Sequence, residues 1–214
     1  MPMPRLSTIV LSTVGFLFVV LIAGVVASSL VQPQVETFVP SPSPPSPEEV
    51  GERSVGPRNH TVDATSHDRW VYFDFSRGSV VSIESRRSLD WDIAFQRHRI
   101  ISNGGATNPR GRAGVIDLGT ARIDSALVLP DSGYVKDAGS GEMSRNRALE
   151  NWYDYSWISH LLRPADRAYA IRTADGKYAV LRFLGYYCPG GRPGCVTFRY
   201  RYRGDGGRDF SNQQ

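Results

Sequence analysis

Lysine, cysteine and methionine are close to absent from this chain. Basic charge rests almost wholly on arginine, with lysine only at Lys136 and Lys177, a bias that the base composition of a genome explains without any ligand. The formal net charge is +4, but Arg97, Arg99, Arg110, Arg112, Arg145, Arg147 and their like are interleaved with acids, and no run of five like charges occurs. A nucleic-acid partner would require a clustered basic stripe or a known module, so none is expected. Catalytic signatures are missing too: there is no G-x-S-x-G, no phosphate loop, no H-E-x-x-H and no dinucleotide fingerprint. An enzyme is therefore not expected. The two cysteines, Cys188 and Cys195, enclose Pro-Gly-Gly-Arg-Pro-Gly. A pair so close in an exported domain is expected to be a disulfide; a metal site would need further ligands, and no histidine lies beside them.

One long hydrophobic run is present. From Leu6 to Val31 no charged residue occurs, and Ile9–Val31 is apolar almost throughout. As a helix it would be roughly 35 Å long, enough to cross a bilayer. Arg5 precedes the run and the next basic residue is Arg53, so the positive-inside rule places residues 1–8 in the cytoplasm and the remainder outside. The expectation is a transmembrane helix over 9–31 in a bacterial inner membrane, single-pass, with a periplasmic C-terminal domain. The rival is a cleaved signal peptide ending near Val25-Val26-Ala27. Gly24 and Ser28 form a small-xxx-small pair of the kind that lets another helix approach closely.

Six prolines follow between Gln32 and Gly56, which predicts an extended linker over 32–65 with no core of its own. Beyond it, short alternating runs predict strands over 69–75, 78–84, 91–101, 113–119, 168–173, 177–187 and 195–203. Asp175-Gly176 is a strong hairpin signal. Asn103-Gly104-Gly105 opens a glycine-rich loop through residue 113 of a length that is often functional or docked. A short helix is predicted over 142–151, and a frayed tail over 204–214. The fold class is mainly β, an antiparallel domain over about 66–203.

The block Trp91-Asp92-Ile93-Ala94-Phe95, followed by Ser102-Asn103-Gly104-Gly105, then Arg172-Thr-Ala-Asp-Gly-Lys-Tyr-Ala-Val-Leu-Arg-Phe183 and Thr197-Phe-Arg-Tyr-Arg-Tyr202, resembles the HmuY-like family over roughly residues 66 to 203. The resemblance implies an all-β, secreted or membrane-attached bacterial protein, and its best-known members bind haem. Haem iron needs an axial pair such as His/His or His/Met. On that reading the candidate cofactor-binding residues are His98, on the 91–101 strand, and His160; Met143 is the one methionine after the first three residues. None of these falls in a motif that assigns it as a ligand.

The stretch Asn151–Leu162 carries Trp152, Tyr153, Tyr155 and Trp157. Such aromatics serve equally as core or as an anchor patch at a protein or membrane surface. Two functions are weighed. The favoured one is an accessory subunit without a cofactor, held to the lipid bilayer by its helix and bridging a larger membrane protein complex through linker and β domain. By analogy alone, a bacterial photosynthetic reaction-centre or antenna assembly is an example. The alternative is an HmuY-like haem-binding protein of the periplasm or cell surface.

Overall fold

The computed structural model describes residues 6–30, 34–42 and 54–211, and within the N-terminal helix the side chains of 12–26. The chain divides into two compact units, residues 1–35 and 36–214. In the first, α1 runs over Leu6–Leu30. Among the described residues no helix is long and apolar enough to cross a membrane. This overturns the expected single-pass placement in a bacterial inner membrane, with cytoplasmic N-terminus and periplasmic domain, and the transmembrane helix on which it rested. Gly24 lies on this helix, whereas the side chain of Ser28 lies outside the described residues.

The second unit is antiparallel β. Its strands are β1 (Ser54–Asp63), β2 (Val71–Asp74), β3 (Ser79–Val81), β4 (Ile93–Gln96), β5 (Arg99–Ser102), β6 (Gly114–Asp117), β7 (Tyr153–Tyr155), β8 (Leu162–Pro164), β9 (Ala168–Arg172), β10 (Tyr178–Tyr187) and β11 (Pro193–Arg203). One sheet has the order β1-β11-β10-β9-β6, a second β3-β2-β4-β5, and β7-β8 is a separate ribbon. The sheets face each other through aromatic rings. Phe73 and Phe95 of the four-stranded sheet lie 5.2 and 5.6 Å from Phe198 of the five-stranded one, and Phe75, just past β2, lies 5.4 Å from Tyr200. Interdigitating large rings in edge and stacked arrangements gain dispersion energy beyond their area burial.

Several elements differ from expectation. Residues 54–63, read as linker because of the prolines before them, form an edge strand of ten residues, so the sheet begins well before residue 66. Part of the proline-rich stretch is docked as well. The Phe38 amide donates to the Tyr187 carbonyl at 2.8 Å, and Ser41 and Thr61 exchange two hydrogen bonds of 2.9 Å. This strap covers part of the open edge of β1; at the far edge, Val135 exchanges two bonds with Val115 of β6. Both contacts blunt edges that would otherwise template foreign strands. The expected 91–101 strand is a hairpin, β4–β5, because Arg97 takes φ 56°. In place of the 142–151 helix stand two 3-10 turns, Gly141–Met143 and Arg147–Leu149. The tail is packed through residue 210: Phe210 is fully buried and its amide donates to the Leu127 carbonyl at 2.7 Å.

Candidate functional site

The β4–β5 turn, the two 3-10 turns and β7 meet around a cavity of about 590 Å³, within the range of roughly 300–1,000 Å³ typical of small-molecule and cofactor sites. His98, Arg99 and Ile100 come from the turn and the start of β5. Met143 and Leu149 come from the two 3-10 turns, and Tyr153 from β7. Buried Ile100 and Leu149 make an apolar floor. Arg145 and Glu150, which pair at 3.5 Å, and Arg99 and Glu142 give the rim its charge.

His98 is positioned by its backbone. Trp152, buried to 1% exposure, donates its indole N–H to the His98 carbonyl at 2.8 Å, and the imidazole meets the Tyr153 ring edge-on at 5.7 Å. Burial, then the Arg97 and Arg99 cations, hold its pKa below the ordinary 6.5. The ring is therefore neutral near pH 7, with a nitrogen lone pair to offer. Beneath the second turn, Asn146 accepts from the Ala148 amide at 3.1 Å and donates to Asp137 at 2.9 Å. Asp137 also accepts from the Ser102 and Thr107 hydroxyls, each at 2.6 Å. Burial raises the Asp137 pKa, against the pull of these hydrogen bonds. This polar knot fixes the cavity wall.

The candidates from sequence are dispersed. His98 lines the cavity and His160 does not; His160, at φ 54°, bonds the Tyr155 hydroxyl through Nδ1 at 2.8 Å near the β7–β8 tip. Within the aromatic stretch, Trp152 is core, Tyr153 lines the cavity, and Tyr155 and Trp157 are exposed, with Trp157 at 82%. Ile158 beside it is 97% exposed. Cys188 and Cys195 are disulfide-bonded, as expected. Met143 joins His98 at the cavity, and its isolation as the one methionine of the domain was the signal for it. The 103–113 loop is docked on its own body. Asn103 donates to the Ser88 and Trp91 carbonyls at 2.9 and 2.7 Å, and a side chain at Gly111 would collide with the Asn103 carbonyl.

The fold is thus an antiparallel two-sheet β domain with a disulfide at the turn between β10 and β11 and a cavity on one flank. The chain belongs to the HmuY family: the family described as HmuY protein matches residues 66–200. Among solved structures it is similar to a candidate HmuY-like heme binding protein of Bacteroides vulgatus, at 24% identity and TM-score 0.52, over 69% of this chain and 92% of that one. It is similar also to the apo HmuY analog of Tannerella forsythia, at 17% and 0.56, over 72% and 99%. A third is apo PinO of Porphyromonas gingivitis, at 16% and 0.55, over 70% and 98%. At these identities the likeness is one of fold. No curated protein matches the chain.

Proposed function

We propose that this domain binds haem in an oxidising compartment outside the cytoplasm, with His98 and Met143 as the iron ligands. The observation that carries the reading is the single cavity that gathers His98 and Met143 over an apolar floor. A His/Met set is one of those that hold haem iron, and it suits a site whose imidazole is kept neutral. Ile100, Leu149 and Tyr153 would contact the macrocycle. Arg99 and Arg145 would supply cations for its carboxylates, the kind of charge-assisted bond that fixes orientation. Among the described residues no cluster of three or more His, Cys, Asp or Glu could hold a free metal ion, but haem asks the protein only for axial atoms. Bound haem would supply a redox-active iron, while the chain would hold and orient it. The heme binding carried in the name of the Bacteroides vulgatus protein supports the reading, and the disulfide supports the compartment.

The accessory-subunit reading loses its transmembrane anchor, and neither the family nor the fold favours a photosynthetic assembly. It keeps one supporting observation, the exposed Trp157 and Ile158. The haem reading is tested by titrating the full chain with hemin and following the Soret band. Saturation at one equivalent is expected, with His98→Ala and Met143→Ala each weakening binding by roughly tenfold or more, about 1.4 kcal/mol, and His160→Ala leaving it unchanged. An unperturbed hemin spectrum sinks the proposal, and a His160→Ala loss equal to that of His98→Ala sinks the ligand assignment.

A further inference from the structure

Met143 ends a 3-10 turn inside a loop whose two ends are tied together. Ala138 and Arg145 exchange backbone hydrogen bonds, 2.9 Å in each direction. Within the loop, Gly139 at φ 102° and Gly141 at φ 52° take conformations that L side chains rarely adopt. A Cβ on Gly139 would lie 2.6 Å from the Met143 carbonyl oxygen.

The loop is held to the four-stranded sheet through the residue before Met143. The Trp70 indole N–H donates to Glu142 Oε2 at 3.0 Å, and Arg86 Nη1 donates to Oε1 at 3.0 Å. Arg99 Nη2 donates to the Glu142 carbonyl. The three donors support one another: the guanidinium carbons of Arg86 and Arg99 lie 5.6 and 5.1 Å from the centre of the Trp70 ring, within cation–π range. Trp70 precedes β2, Arg86 follows β3 and Arg99 opens β5, so one glutamate gathers three separate parts of the sheet. Met143, by contrast, is 75% exposed and has little packing of its own to hold it.

We infer that Glu142 is a positioning residue, a latch that holds the 138–145 loop closed and thereby keeps the Met143 thioether at the cavity lined by His98. The role of Met143 toward the iron rests on the haem reading; the latch itself does not. Breaking it frees a short loop, tied at Ala138 and Arg145 and pivoting at its two glycines, to swing the thioether away while the His98 side of the cavity stays in place.

The test uses the full chain without ligand first. In Glu142→Ala, amide exchange at Met143 and Ser144, whose N–H groups bond the Ser140 and Gly141 carbonyls, is expected to speed up by about tenfold through local opening of the loop. Amides of β9, β10 and β11 and the Tm stay unchanged. Trp70→Phe, which removes the indole donor and leaves a smaller ring beneath Arg86 and Arg99, reproduces part of the effect, and Glu142→Gln, which keeps an acceptor for the indole, falls between. With hemin, Glu142→Ala keeps one-equivalent binding but loses the thioether–iron absorption signature and releases haem about tenfold faster. Unchanged loop exchange in all three variants overturns the latch, whereas faster exchange with a Glu142→Ala haem spectrum identical to the parent's overturns the role of Met143 toward the iron. If the parent itself binds no hemin, the haem reading fails, and the exchange data still decide the latch.

Discussion

His60 sits between the sheets with its ring 4.8 Å from Phe73 and 5.9 Å from Phe198, and its Nε2 has no hydrogen-bond partner. Burial lowers its pKa from 6.5 to about 4. The folded state thus binds this proton more weakly than the unfolded chain does. Its contribution to stability is full above pH 6.5 and is lost as pH falls from there through about 4, at most about 3 kcal/mol in all. His60→Phe is expected to flatten that slope, read as the urea midpoint at pH 7 and pH 4.5; equal losses in parent and variant would refute the assignment. Two further buried ionisable side chains escape sequence reasoning. Asp92, whose alternation suggests a solvent face, is buried and accepts from the Phe75 and Ala174 amides at 2.9 and 2.8 Å. Arg201, 1% exposed, donates to the Ile123 and Ser125 carbonyls at 2.9 and 3.0 Å and to that of Phe210, with its guanidinium 5.3 Å from the Phe210 ring centre. That clamp packs a tail whose composition reads as frayed.

Among the elements, the β4–β5 hairpin and the strap are the informative ones. The turn of the hairpin has no glycine or asparagine to mark it. Arg97 is held left-handed by distant partners, its amide donating to the Ala64 carbonyl at 2.9 Å and its Nη1 to that of Pro193 at 2.8 Å. Sequence periodicity sees an unbroken strand because those partners lie elsewhere in the chain. The strap depends on a missing side chain: a Cβ on Gly185 would lie 2.1 Å from Phe38 Cε2. Gly185→Ala is therefore expected to cost about 1–3 kcal/mol, the usual range for overpacking, measured by thermal or denaturant unfolding. Most of that cost should vanish in a Phe38→Ala background, since contacting residues couple in a double-mutant cycle. Additive losses would mean that Phe38 does not fill that notch in solution.

At the scale of the whole domain, two sheets share one aromatic core, and the disulfide closes the turn that joins the long strands β10 and β11. The bridged residues are separated by 7 positions, a short loop, so the chain-entropy relation gives about 2.5 kcal/mol. Cys188→Ser/Cys195→Ser is expected to lower stability by that order in chemical denaturation while leaving the hemin titration unchanged, because neither residue lines the cavity. A loss of hemin binding in a still-folded double variant would contradict the placement of the site.

Alternation of large and polar residues, Asp175-Gly176 at a hairpin, the paired cysteines and the W-D-I-A-F and S-N-G-G blocks were enough to determine an antiparallel β domain of this family, because strand pairing and turn chemistry are local. Composition misled at both ends of the domain. Prolines before Ser54 and glycines after Arg203 say nothing of the distant Tyr187, Thr61 or Arg201 that order the segments beside them. The sequence offered His98 and His160 as candidate ligands, and Met143 only as the one methionine after the first three residues. What gathers His98 and Met143, and not His160, at one cavity is the left-handed turn at Arg97 and the hydrogen bonds of Glu142 with Trp70, Arg86 and Arg99, contacts between residues far apart in the chain.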